Sequence, residues 1–203
     1  MKKNRLEAFS DGVFAIVITL LILNVKLPEV SYDNLPTGLT DMFPTLFVYV
    51  LSFLLIGMYW VFHHYFMTFI AEVDGVLLWL NILFLLFISF LPFPTMMLGK
   101  YPFTILPIVI YGCNLILVNV TAFILLLYLR RNKNLTNALF TPAVYSIQIK
   151  MYLLINGLYF VNIILSFFMP KFSVYLFALI AVYLIFRSVF LLGVGKCNTP
   201  LNE

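Results

Sequence analysis

Six stretches of the chain stay apolar for about twenty residues each, the length of helix that crosses a hydrocarbon core of about 30 Å. They run from Leu6 to Leu27, Phe43 to Met67, Val76 to Leu98, Phe103 to Leu129, Ser146 to Met169 and Ser173 to Val194. The runs are continuous and lack the ten-residue alternation of barrel strands, so each predicts a helix. The pattern therefore predicts an all-α integral membrane protein with six transmembrane helices, a single domain over residues 1–203 with no room for a soluble one. The longer connections fall at residues 28 to 42 and 130 to 145, and the first, with Glu29, Asp33 and Asp41, is weakly acidic. No internal repeat or low-complexity tract appears.

Composition agrees with the pattern. Hydrophobic residues make up 64% of the chain and charged ones 10%, with a mean hydropathy of +1.07, well outside the averages of soluble domains. The few charges carry topological information instead. Lys2, Lys3, Arg5, Arg130, Arg131, Lys133, Lys150, Arg187 and Lys196 fall at one set of helix ends, against Lys26, Lys100 and Lys171 at the other. Lys and Arg accumulate on the cytoplasmic side, which predicts that both termini are cytoplasmic. The net charge of +4 is thus a topology bias and excludes nucleic acid as the expected partner; the bilayer is the partner. Lys2, Lys3 and Arg5 imitate a secretory signal, but Glu7 and Asp11 interrupt the run and no small-x-small cleavage site follows, so the segment reads as a retained first helix.

Cys113 and Cys197 are far apart and form no paired motif, so both read as inert. Asn119-Val120-Thr121 and Asn134-Leu135-Thr136 match the glycosylation pattern, the first inside a helix and the second on the cytoplasmic side, and neither is expected to be used.

Polar residues inside the apolar segments need a reason, because ionisable groups at membrane depth cost roughly 2.5–3.5 kcal/mol each and are kept where they meet protein or water. Ser10 and Asp11 lie one to two turns into the first helix. By depth, Trp60, His63 and His64 of the second helix, Trp79 and Asn81 of the third, and Arg187 and Ser188 of the sixth share their level. A network of Asp11, Ser10, one histidine, Asn81 and Arg187 would tie the first helix to its neighbours, its role positioning. A proton relay or a metal site on His63 and His64 are the rival readings, although neighbours on a helix point about 100° apart and chelate one ion poorly. No Ser/His/Asp or carboxylate constellation points to an enzyme. Farther along the first helix, Ile16, Leu20 and Leu23 fall at i, i+4 and i+7 with Thr19 beside them. Periodicity alone leaves this stripe as packed core or as the lining of a path.

The motif Arg5-x-x-x-Phe9-Ser10-Asp11 resembles the signature of the bacterial branch of the endosomal and lysosomal potassium channel family, transmembrane protein 175. Trp60-x-x-His63, Trp79-x-Asn81 and Leu91-Pro92-Phe93-x-Thr95 fit the same family pattern. The resemblance implies a potassium-permeable channel in the bacterial inner (plasma) membrane, multi-pass, with no cofactor beyond the permeating potassium ions. It implies that the first helix lines a central pathway, held by Arg5, Phe9, Ser10 and Asp11, with the constriction at Ile16 and further layers at Thr19 or Leu20 and at Leu23. Animal members carry two such repeats and dimerise, so one repeat implies a homotetramer.

No Thr-Val-Gly-Tyr-Gly loop occurs, which leaves no carbonyl-lined filter. An isoleucine ring would gate by dewetting and favour weakly hydrated monovalent cations, potassium over sodium, with Thr19 as a partial ligand. The alternative class is a secondary transporter or a proton-conducting protein. A transporter would call for ionisable groups at mid-membrane and an inverted repeat, and neither is evident.

Overall fold

The computed structural model describes residues 2–197, and side chains for residues 2–23 and 25–188. The sequence readings of Lys196 and Cys197 concern side chains outside that set. Eight α-helices are described: α1 Lys3–Leu20, α2 Leu35–Asp41, α3 Phe43–Met67, α4 Gly75–Phe90, α5 Pro92–Lys100, α6 Ile105–Arg131, α7 Pro142–Ser166 and α8 Pro170–Cys197. No strand is present among the described residues, only an isolated bridge between Ile70 and Thr136. Six segments are long and apolar enough to cross a membrane, with α4 and α5 sharing one of them. The protein is an all-α, multi-pass membrane protein.

Local chemistry sets the ends of these helices and corrects four expected boundaries. The first segment, expected to reach Leu27, tightens into a 3-10 turn over Leu21–Asn24 and leaves the helix at Val25. Pro28 follows, and the residue before a proline is pushed out of the helical region. The connection from 28 to 42, expected to be loop, contains α2, which begins at Leu35 with Pro36 in its first turn. The third span divides at Leu91 because Pro92 has no N–H to continue the ladder. The fifth begins at Pro142, ahead of the expected Ser146, since the Thr141 hydroxyl caps it by accepting from the Val144 N–H.

Asp74 caps α4 in the same way. Its carboxylate accepts from the Leu77 N–H at 2.8 Å and from the Tyr128 hydroxyl at 2.6 Å. Desolvation pushes this carboxyl up, but the hydrogen bonds outweigh it and hold it below its ordinary value.

Half of the most apolar stretch of the span formed by α6 is buried, against 28% of that of the first span and 22% of that of α7, so α6 is the central post and α1 lies at the edge of the bundle. The most crowded of the described glycines is Gly112 of α6, where a methyl group would meet the Ile163 side chain of α7 at 2.7 Å from Cγ1. This fold leaves α1 with one face packed and one face bare.

Candidate functional site: the two faces of the first helix

The packed face of α1 comprises Leu6, Ser10, Phe14 and Val17, and Leu21 continues it into the 3-10 turn. Spacings of three and four keep these residues on one side of a helix. Ser10 is the polar member of the set, and it is satisfied at both ends. Its hydroxyl donates to the Leu6 carbonyl at 2.9 Å and accepts from the Asn81 amide at 3.0 Å. The Asn81 carbonyl oxygen in turn accepts from His63 Nε2 at 2.8 Å. All three side chains are buried, so a directional chain of hydrogen bonds joins α3 through α4 to α1 in a water-poor interior. The His63 ring also stacks on Phe84 at 5.6 Å, and Phe14 of α1 packs against both rings.

A second tie lies nearer the surface, where Trp60 Nε1 donates to the Asp11 carboxylate at 2.8 Å. Asp11 and Ser10 therefore hold separate partners. His63, not His64, joins the buried chain; His64 is exposed and stands 6.0 Å from the Trp60 ring. Arg187 is half-buried and forms neither an ion pair nor a side-chain hydrogen bond among the described residues. Trp79, Phe9 and Arg5 are exposed. No cluster of three or more metal-ligating side chains exists among the described residues.

The opposite face of α1 carries Ile16, Thr19 and Leu20, with Leu23 following in the 3-10 turn, all exposed in the single chain. Neighbouring positions separate sharply: Ile16 is 60% exposed and Val17 3%. Thr19 donates its hydroxyl proton to the carbonyls of Ile16 at 2.8 Å and Ala15 at 3.1 Å, which leaves its oxygen lone pairs for the bare face.

Sequence reasoning missed a second polar tier. Asn119 of α6 donates to the Tyr59 hydroxyl, and Ser52 bonds Tyr111 and Thr95. The signal was present, for Thr45, Ser52, Tyr59 and His63 recur at intervals of seven, seven and four along one face of α3. Thr45 closes the series at the other end by donating to the Gly99 carbonyl.

A family model described as endosomal/lysosomal potassium channel TMEM175 matches residues 5–92, the part of the chain that holds α1, α3 and α4. A protein named a potassium channel from Chryseobacterium sp. (strain P1-3) is 35% identical over 181 residues, 89% of this chain and 91% of that one. The crystal structure of a lysosomal potassium-selective channel TMEM175 homolog from Chamaesiphon minutus superposes with a TM-score of 0.80 at 30% identity, covering 92% of this chain and 97% of that one. The chicken protein, named an endosomal/lysosomal proton channel, is 38% identical over 101 residues, about a fifth of its own length. With its helix-1 motif, its fold and near full-length relatives in agreement, the chain belongs to the TMEM175 family.

Proposed function

We propose that the protein is a potassium-permeable cation channel of the bacterial inner (plasma) membrane. Its unit is one six-helix domain, with both termini cytoplasmic, assembled as a homotetramer in which four copies of α1 surround a central path. The observation that carries this reading is the division of α1 into an anchored face and a bare one. A helix fixed on one side by Ser10, Phe14 and Val17 presents Ile16, Thr19, Leu20 and Leu23 in a set phase on the other. The names of the Chryseobacterium and Chamaesiphon relatives support potassium as the ion.

In this reading Ile16 forms the constriction. Four branched apolar side chains offer no oxygen to replace hydration water, so the ring gates by dewetting and favours ions that shed water cheaply. Thr19 adds four hydroxyl oxygens one turn along, and Leu20 and Leu23 continue the apolar lining. Ser10 and Asp11 hold the phase of the helix through Asn81, His63 and Trp60. Arg5 and Phe9, exposed in the single chain, meet neighbouring copies. No part in the anchor is proposed for His64, Trp79 or Arg187.

Cysteine substitution at Ile16 and Val17 tests the path. In liposomes with a potassium gradient, a water-soluble thiol reagent should change the flux of Ile16→Cys and leave Val17→Cys unaffected. Equal reactivity at both positions, or none at Ile16 while flux persists, would mean that ions travel elsewhere. The vertebrate relatives' name favours proton conduction as the second reading; an interior pH dye in the same liposomes separates the two.

A further inference from the structure

Away from α1, five helices enclose a partly open cavity of about 60 Å³. It lies at the end of the bundle that holds the N-terminus, between the later halves of α3, α6 and α8 and the first half of α7, with Phe84 of α4 in its wall. No residue of α1 lines it. Its chemistry is divided. Met58, Phe66 and Leu184 represent a lining that is mostly apolar, while Arg187, Gln148 and Tyr152 bring a cation, an amide and a hydroxyl to one space. Among the described residues these three side chains have no hydrogen-bond or ion-pair partner, although Arg187 is half-buried.

A guanidinium in a membrane-spanning helix needs an anion or water to replace its lost hydration. Ordered water is a poor filling, because each molecule requires two to four polar partners and most of this lining has none to give. An occupant with one anionic head and a hydrocarbon tail satisfies both halves, and the surrounding bilayer supplies such molecules. Basic pockets between helices on the cytoplasmic side suit lipid headgroups for this reason. The enclosed volume accommodates only the start of an acyl chain, so the remainder leaves through the open side. One wall of the cavity is also part of the anchor: His63 and Phe84 line it, and both pack against Phe14 of α1 at 5.6 and 6.2 Å.

The geometry points to a binding site for an acidic phospholipid, with its phosphate on Arg187 and the beginning of one acyl chain among Met58, Phe66 and Leu184, whose occupancy sets the position of α1 through His63 and Phe84. The coupling half of this inference rests on α1 being the conducting helix; the binding half does not.

The test uses the full-length protein, stripped of lipid in detergent, as wild type, Arg187→Gln and Ala122→Phe, since Ala122 lines the cavity and a ring there fills it. Phosphatidylglycerol, phosphatidylcholine and inorganic phosphate are the probes, read by native mass spectrometry and by thermal midpoint. Phosphatidylglycerol should stay bound to the wild type and raise its midpoint, with about fivefold weaker binding in Arg187→Gln, the factor one basic residue beside an anionic lipid contributes. Ala122→Phe should lose the bound lipid. Equal retention by Arg187→Gln and wild type, or equal effects of phosphatidylcholine, would overturn the site; an equal effect of inorganic phosphate would make it a free-anion site and overturn the lipid. In liposomes with and without phosphatidylglycerol, wild-type potassium flux should respond to the lipid and that of Ala122→Phe should not. Binding without a flux response overturns the coupling, whereas no flux in any liposome overturns the channel reading and leaves the binding result standing.

Discussion

Asn81→Leu is the sharpest test of the anchor, because it removes a joint while keeping side-chain volume near constant. Asn81 is 1% exposed and bridges His63 Nε2 at 2.8 Å and Ser10 Oγ at 3.0 Å. Measured interhelical hydrogen bonds in membranes average about 0.6 kcal/mol and reach about 1.7, so two of them are worth about 1.2 to 3.4 kcal/mol. The losses are unequal. Ser10 keeps its bond to the Leu6 carbonyl, whereas the His63 N–H is left buried without a partner, a state that costs about 1–3 kcal/mol in protein interiors. These figures overlap, which sets the expected loss at about 2 kcal/mol. Trp60→Phe removes one bond at a partly exposed site and should cost about 0.6 kcal/mol or less.

The assay is thermal unfolding in detergent across a cycle of wild type, Asn81→Leu, His63→Leu and the double variant. Replacing both partners removes the stranded donor, so the double variant should be less destabilised than the sum of the single ones. Asn81→Leu with wild-type stability, or strictly additive losses, would refute the picture of a coupled hydrogen-bonded anchor. Potassium flux should fall with stability, since α1 loses the tie that fixes its phase.

Three further outcomes are expected. Thr19→Val should flatten the preference for potassium over sodium, read as a shift in reversal potential, and an unchanged value would show that the hydroxyl is no ligand. Gly112→Ala places a methyl within 3.0 Å of two Ile163 atoms and should destabilise by about 1–3 kcal/mol, which an unaltered thermal midpoint would contradict. Because the Asp74 carboxyl is held below its ordinary value, its contribution is present above about pH 4 and is lost as pH falls through the depressed value. Tyr128→Phe removes one of the bonds responsible, so less stability should be lost to acid and the loss should be complete at a higher pH than in wild type; identical acid profiles would count against the cap.

The sequence by itself determined the class, the six spans and the level at which the polar residues gather. Apolar runs of this length have one stable solution in a bilayer, in which every backbone group is satisfied inside its own helix. The family resemblance was also legible, carried by Arg5, Phe9, Ser10 and Asp11. Helix ends were harder to place, because Pro28, Pro92 and Thr141 act over a residue or two while a window averages over about twenty.

Partner choice was decided only by the tertiary structure. Depth brought Asp11, Ser10, His63, His64, Asn81 and Arg187 to one level, but phase and interhelical distance gave Asn81 to Ser10 and His63, gave Trp60 to Asp11, and turned Arg187 toward a cavity instead. The two sides of α1 show the same limit. Ile16 and Val17 are adjacent, apolar and β-branched, and nothing in their chemistry says which one packs. The helices that cover Val17 and leave Ile16 bare come from residues far along the chain, so burial at these positions is a property of the assembled bundle.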